Sequence, residues 1–301
     1  MVVTKIVLYS LTVIFDLTGV CVTIILFLTM LCRRSIVKTD RVSYLLLANS
    51  YIAYLVASPF FAEMSLNSIY GQLHPNSSFN VKSCVFKSYI IYVSGCVYFH
   101  SYLLQAIYRL CRIVYATRLQ YQSFRIYAIL SIGQWVLAAL MLLPSLLAGS
   151  IEYIPTEHHC QIAATNLLGS LLGLSFLFLI PFVSTLILYF YTIHYVHTKT
   201  TALHAINHHT SIRRDLIILS RLIILFTFIS TVALPHVLMP IFYVLTNYLP
   251  VWISALEWLF TCFSLNTACI IQIFSVPQLR KLWLPAIRIQ PVEAIGHAIK
   301  P

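Results

Sequence analysis

The sequence predicts an all-α membrane protein, a bundle of seven transmembrane helices followed by a short amphipathic eighth helix. Two observations carry this prediction: the composition and the length of the apolar segments. Of the 301 residues, 60% are hydrophobic and only 9% are charged, and the mean hydropathy is +0.88. Soluble domains carry about 25% charged residues. Because lipid offers no hydrogen-bond partners, each spanning segment must satisfy its backbone internally, as a helix does.

Seven apolar segments are long enough to cross a bilayer, which takes about 20 helical residues. They lie near residues 6–32, 43–66, 82–112, 126–150, 166–196, 216–246 and 251–276. Residues 1–5 are then a short N-terminal segment outside the membrane, and residues 6–276 form the membrane domain. Residues 277–301 hold the amphipathic helix and a short cytoplasmic tail.

The basic residues crowd into alternate connections and thereby predict the orientation. One side keeps only Lys5, Lys82 and Lys87. The positive-inside rule puts that side, with the N-terminus, outside, and the several spans predict a multi-pass membrane protein. The net charge of +11 indicates contact with anionic lipid of the bilayer rather than nucleic acid, because the basic residues flank membrane spans. The cytoplasmic side holds Arg33, Arg34, Lys38, Arg41, Arg109, Arg112, Arg118, Arg125, Lys199, Arg213, Arg214, Arg221, Arg280, Lys281, Arg288 and Lys300.

Two of the eight cysteines, Cys84 and Cys160, fall on the predicted outer side, and six lie in or at the ends of spans. Two cysteines in an oxidising compartment favour a disulfide. Asn76, Ser77 and Ser78 form a glycosylation sequon in the first outer loop, which makes Asn76 a candidate glycosylation site.

The third span carries Tyr108-Arg109-Leu110 near its inner end and Cys84 near its outer end. These motifs resemble those of the rhodopsin-like (class A) G-protein-coupled receptors. Cys84 precedes Arg109 by 25 residues, the interval of that family between its helix-3 cysteine and arginine. Arg109 stands in Tyr108-Arg109-Leu110, where the family usually reads Asp-Arg-Tyr, so Tyr108 replaces the acid. Tyr54 likewise stands where the second helix of the family carries an acid, and we therefore expect no sodium-dependent shift in ligand affinity.

The resemblance extends over nearly the whole chain through partly preserved motifs. The fourth span keeps a tryptophan and a proline, the fifth a proline and a tyrosine, the sixth the proline of Cys-Trp-x-Pro, and the seventh the asparagine of Asn-Pro-x-x-Tyr. Residues 277–283 are similar to the start of the amphipathic helix that lies on the inner leaflet. The matching residues are Trp135, Pro144, Pro181, Tyr189, Pro235 and Asn266.

The resemblance implies a receptor that transmits binding of an extracellular ligand to a heterotrimeric G protein. Arg109 is then the activation switch, and Asp215, twenty residues before Pro235, is its expected resting-state partner. Tyr189 is expected to bridge Arg109 after activation. Simpler interpretations remain open: Arg109 as an arginine reaching toward the headgroups, and Tyr189 as an interface tyrosine. Pro181, Pro235 and Asn266 complete the expected switch residues, the prolines as sites of kinks.

Ionisable or polar residues in the outer half of the spans are the candidate ligand pocket, because such groups inside a membrane are costly and usually functional. A structural Glu63–Lys87 ion pair and a hydrogen-bonded His236 are the alternatives. Ile91 stands where amine receptors of this family carry Asp, and Phe260 where opsins carry the retinal lysine, so neither ligand is expected. A peptide, a lipid or a small molecule remains. The pocket candidates are Glu63, Lys87, Ile91, His236 and Glu257.

Two other classes of function stay open on the sequence. The degraded motifs are compatible with a seven-helix protein that no longer signals. A channel or transporter is less favoured, because few polar groups lie at mid-membrane and no inverted repeat is present. No nucleophile–base pair, metal cluster or phosphate loop stands out, so we expect neither an enzyme nor a cofactor.

Overall fold

The structure, a computed structural model, describes residues 2–32, 40–75, 80–203, 209–232 and 234–275. Within these ranges it leaves out the side chains of residues 199–203, 209–215, 232, 237 and 273–275. Helices dominate. They are α1 (Val2–Cys32), α2 (Arg41–Leu73), α3 (Val81–Val114), α4 (Phe124–Leu147), α5 (Leu167–Leu174), α6 (Ile180–Leu203), α7 (His209–Val232), α8 (Leu234–Thr246) and α9 (Ile253–Ser275).

The helical membrane protein that the sequence predicts is confirmed. Within the described residues, six helices are long and apolar enough to cross a membrane, and α7 with α8 adds a seventh if this bent pair is one span. The segment α5 continues into α6 through a π-helical turn, Ser175–Leu179. Large apolar side chains such as Ile129, Ile132 and Leu147 point outward, as they do where the solvent is lipid rather than water.

Asx residues cap several of these helices. The side chain of Asp40 accepts a hydrogen bond from Ser43 N at 3.3 Å at the start of α2. Asn80 caps α3 in the same way through Ser83 N at 3.2 Å. These side chains satisfy backbone N–H groups that have no partner inside the helix, which fixes where each helix begins.

The helices pack around α3, which contacts α2, α4, α6 and α7, while α1 packs between α2 and α9. The interior is rich in tyrosine: Tyr51, Tyr54, Tyr98 and Tyr102 are almost completely buried. Each of these rings fills a large volume, and its hydroxyl finds a polar partner inside the bundle.

A short antiparallel hairpin interrupts the helical pattern between α4 and α5. Its strands are β1 (Ile151–Ile154) and β2 (His159–Ile162), with Tyr153 opposite Cys160. Apolar segment length and periodicity did not predict this hairpin, which is short and lies in a connection. The end of the bundle that carries it is called the hairpin end below, and the opposite end, which carries Arg109, the arginine end.

Three predicted features lie outside the described residues. They are the amphipathic helix and tail at 277–301, the sequon asparagine Asn76, and the side chain of Asp215. The N-terminal boundary differs from the prediction, since α1 begins at Val2 and buries Lys5 rather than leaving residues 1–5 apart.

Candidate functional site

The hairpin is tied to α3 by a disulfide and two hydrogen bonds. Cys84 and Cys160 are joined with their Cα atoms 5.6 Å apart, so the disulfide that the sequence predicts is present. Ser88 Oγ donates to the carbonyl of Cys160 at 2.6 Å, and Ile162 N donates to the Tyr92 hydroxyl at 3.0 Å. The hairpin is therefore held as a cover over the space between the helices.

Beneath this cover lies a cavity of about 1200 Å³, including the space at its mouth. Helices α2, α3, α5, α8 and α9 line it, and β2 contributes Gln161 and Ile162. Most of the wall is apolar and aromatic, as in cavities that hold small molecules. Of the predicted pocket residues, Ile91, His236 and Glu257 line this cavity, whereas Glu63 and Lys87 do not.

Glu257 and His236 form a polar centre in this apolar wall. Thr261 Oγ1 donates to the backbone carbonyl of Glu257 at 2.8 Å, and the same oxygen lies 2.5 Å from His236 Nε2. When the hydroxyl proton is given to this carbonyl, Nε2 donates in the second bond. In the neutral ring Nδ1 is then an acceptor, and it lies 3.9 Å from Glu257 Oε1.

A second polar group reaches the cavity from the hairpin. Gln161 Oε1 accepts from Trp258 Nε1 at 2.7 Å and from Ser254 Oγ at 3.3 Å, which binds β2 to α9. Around Trp258 stand the rings of Phe61 at 5.3 Å and His236 at 5.7 Å between centroids. The carboxylate of Glu257 is thus next to a cluster of aromatic rings.

Glu63 and Lys87 lie in a neighbouring, more polar cavity between α2, α3 and the hairpin, which also holds Cys84, His158 and His159. The two side chains form an ion pair, which was one of the two interpretations left open by the sequence. Each is more than a third exposed, so the pair is screened and contributes little to stability.

At the arginine end, Arg109 belongs to a cluster that sequence reasoning did not find. Asp40 Oδ2 lies 3.4 Å from Arg109 Nη1 and 3.0 Å from Arg112 Nη1. The Tyr108 hydroxyl donates to Asp40 Oδ1 at 2.8 Å, and Arg109 Nη2 donates to Ser43 Oγ at 2.6 Å. Asp40 thus supplies the acid that is missing next to Arg109 in the sequence, from the start of α2.

The surroundings of Asp40 favour its ionised form. Burial alone would raise the pKa of Asp40, but the guanidinium charges of Arg109 and Arg112, with hydrogen bonds from Ser43 and Tyr108, lower it below its ordinary value. The side chain of Arg109 is only 5% exposed. Arg109 therefore belongs to a buried, charged cluster.

The remaining switch candidates lie along the spans between the two ends. Pro181 is the second residue of α6, directly after the π-helical turn, and Pro235 is the second residue of α8, where the axes of the paired helices differ by 50°. Tyr189 is half-buried on α6, with its ring 5.8 Å from Phe190. Its bridge to Arg109 and the Arg109–Asp215 pair stay predictions.

Asn266, the last switch candidate, joins α9 to α1 by donating to the carbonyl of Phe15 at 3.1 Å. At the next residue of α1, the buried carboxylate of Asp16 accepts from Ser58 Oγ at 2.8 Å and from the Tyr54 hydroxyl at 3.4 Å. Tyr54, which replaces an acid in the sequence motif, therefore points its hydroxyl at an acid on another helix.

A buried ion pair anchors α1 beneath the hairpin. Lys5 Nζ lies 2.7 Å from Glu157 Oε1, and the Tyr9 hydroxyl donates to Glu157 Oε2 at 2.8 Å. Both charged side chains are about 5% exposed or less. Next to Glu157, burial lowers the pKa of His159 to about 4, so this ring is neutral at pH 7.

No family model matches the sequence, and no curated protein is significantly similar to it.

Proposed function

We propose that this chain is a divergent rhodopsin-like G-protein-coupled receptor. One observation carries the proposal: α3 links a covered, ligand-sized cavity at one end to a buried arginine cluster at the other. The disulfide at Cys84 fixes the hairpin end of α3, and Arg109 lies near its opposite end. A ligand that changes the packing around α3 can therefore act on the cluster through one rigid element.

The orientation belongs to the same proposal. The distribution of Lys and Arg supports a cytoplasmic arginine end and an extracellular hairpin end. A disulfide at the hairpin end agrees with an oxidising compartment, and glycosylation of Asn76 would mark the same side. We propose the plasma membrane as the site of action, where the ligand enters the cavity from outside.

In the resting state that we propose, Asp40 holds Arg109 inside the bundle, with Asp215 as a second acid from α7. Activation moves α7 outward about the bend near Pro235 and releases Arg109 toward the G protein, with Tyr189 as its new neighbour. A ligand drives this change only by binding the active arrangement more tightly than the resting one.

Basal nucleotide exchange on a panel of G proteins tests the proposal before any ligand is known. Membranes would carry the wild type, Arg109→Ala, Asp215→Ala and, as a control, Arg125→Ala, which alters an exposed arginine at the same end. We expect exchange to be lost without Arg109, raised without Asp215 and unchanged in the control. Exchange that is absent in all four, with each variant confirmed at the cell surface, would favour a seven-helix protein that does not signal.

A further inference from the structure

We propose that the covered cavity binds an amine with an apolar body, whose ammonium group sits between Glu257 and His236. The inference rests on the proposed function and specifies the chemical class of the ligand. It also revises the expectation drawn from Ile91, since that residue lines this cavity together with a carboxylate from a different helix.

The first step is the hydrogen-bond geometry of the polar centre. With Thr261 donating to the Glu257 carbonyl and His236 Nε2 donating to Thr261, Nδ1 and Glu257 Oε1 are two acceptors 3.9 Å apart. Acceptors at this separation are stabilised by a group that donates to both. An ammonium group has several N–H donors and a positive charge, so it satisfies both acceptors and neutralises the carboxylate.

The second step is the charge of the wall. Among the described residues that line the cavity, Glu257 is the only carboxylate, and none is a lysine or an arginine. Glu257 is 8% exposed, so water would screen a charge on it poorly. An anionic ligand such as a fatty acid would place like charges together in an apolar space, which is strongly unfavourable, whereas a cation would be attracted.

The third step is the aromatic surround. The rings of Phe61 and Tyr92 lie 5.3 and 6.5 Å from the ring of Trp258, which follows Glu257 on α9. Aromatic faces attract ammonium groups, and Trp attracts them most strongly. Farther along the wall, Phe99 and Phe178 offer apolar surface for the rest of the ligand. Carboxylate, histidine and rings together match an arylalkylamine.

A proton held between Glu257 and His236 is the competing arrangement, because it would also satisfy both groups. The two arrangements predict different affinities. If a proton closes the pair, an ammonium ligand binds no more tightly than a neutral alcohol of the same shape. If the pair is two open acceptors, the ammonium ligand binds more tightly.

The experiment measures equilibrium binding to the full chain in lipid nanodiscs, without any G protein. The probes are phenethylammonium, phenethyl alcohol and phenylacetate, which share a ring and differ in charge, and empty nanodiscs correct for partition into lipid. We expect the ammonium to bind about tenfold to a hundredfold more tightly than the alcohol, with phenylacetate weakest. Equal binding of ammonium and alcohol, or no binding of the ammonium, would overturn the proposal without any mutation.

Three variants then locate the site. Glu257→Gln should reduce ammonium affinity to that of the alcohol and leave alcohol affinity unchanged, which also shows that the variant is folded. Glu152→Gln, which alters an exposed carboxylate on β1, should have no effect. If Glu63→Gln removes the preference for ammonium and Glu257→Gln does not, the site is the neighbouring cavity and the proposal is wrong. Ammonium binding without nucleotide exchange would keep this site but refute the receptor.

Discussion

Replacement of Asp40 should both destabilise the protein and raise its basal activity. The carboxylate joins two guanidinium groups, at 3.0 Å for Arg112 and 3.4 Å for Arg109, and it caps α2 through Ser43 N. Asp40→Asn keeps an oxygen for the cap, because Asn caps helices as well as Asp does. It removes the negative charge and replaces the second carboxylate oxygen by an NH2 group, so the two guanidinium groups lose their anionic acceptor while the cap is kept.

The magnitude follows from the burial of the partners. Removing one member of a buried ion pair costs about 3–5 kcal/mol. Arg109 is 5% exposed but keeps its bond to Ser43 Oγ, and Arg112 is 16% exposed and reaches water. We therefore expect the lower end, about 3 kcal/mol, for Asp40→Asn, and about 1 kcal/mol more for Asp40→Ala, which also loses the cap.

We expect the active arrangement to lack the Asp40–Arg109 pair. Most of the free energy that the resting state loses then shifts the equilibrium between resting and active protein toward the active form. A change of 3 kcal/mol corresponds to about a hundredfold shift in the ratio of active to resting protein. Basal nucleotide exchange and thermal unfolding of purified wild type, Asp40→Asn and Asp40→Ala measure the two effects separately. Wild-type exchange together with a wild-type unfolding midpoint in Asp40→Asn would refute the reasoning.

The pH dependence of this cluster has a defined sign. Because the pKa of Asp40 is lowered in the folded state, its contribution is fully present above the ordinary pKa of aspartate, about 4, and is lost only as the pH falls through the lower folded value. Asp40 therefore cannot make basal exchange pH-dependent near neutrality. A titration of exchange between about pH 6 and 8 that disappears in Asp40→Asn would contradict this assignment.

Three further predictions concern the hairpin end. Replacing Cys84 and Cys160 by Ser should lower stability by about 2–5 kcal/mol, and reductant should lower the unfolding midpoint of the wild type but not of the variant. Lys5→Met should cost about 3–5 kcal/mol because Glu157 is left buried without its cation; the double variant with Glu157→Gln should recover part of this loss, and an additive double variant would argue against the pair. His159 takes up its proton in the unfolded state near pH 6.5 but in the folded state only near pH 4, so stability should fall by about 3 kcal/mol between these values. Unfolding of His159→Gln should lack that slope, and an unchanged slope would show that another group is responsible.

The features that sequence predicted are those with a local signal. Segment length and hydropathy identified the helices, because each span must be apolar over about 20 residues whatever its neighbours are. The disulfide was predictable because the expected orientation put Cys84 and Cys160 on the same side of the membrane. The β1–β2 hairpin had no such signal, since its strands are four residues long and lie within a loop.

The pairings inside the site had no local signal either. Arg109 meets Asp40 across 69 residues, and Lys5 meets Glu157 across 152. Which faces of two helices meet depends on their rotation and vertical offset, and hydropathy fixes neither. Asp40 was nevertheless recognisable in principle, as the one acid in the basic connection at residues 33–42 that precedes the second span.

Two replacements in the motifs of the proposed family have a common structural explanation. Tyr108 stands where the family carries an acid beside its arginine, and its hydroxyl donates to Asp40. Tyr54 stands where the second helix carries an acid, and its hydroxyl points at Asp16. In both cases a phenol occupies the motif position and a carboxylate from an adjoining element occupies the space beyond it.

The covered cavity follows the same arrangement, with Ile91 at the motif position and Glu257 lining the cavity from α9. A carboxylate on a different helix from that of the motif keeps an acid in the interior but changes which helix the acid holds. Asp40 binds α3 to the start of α2, and Asp16 binds α1 to α2. A ligand cation bound to Glu257 would therefore act first on α9 and, through His236, on α8. In the proposed activation, α7 moves about its bend with α8. A ligand held against α8 therefore acts directly on the span that moves.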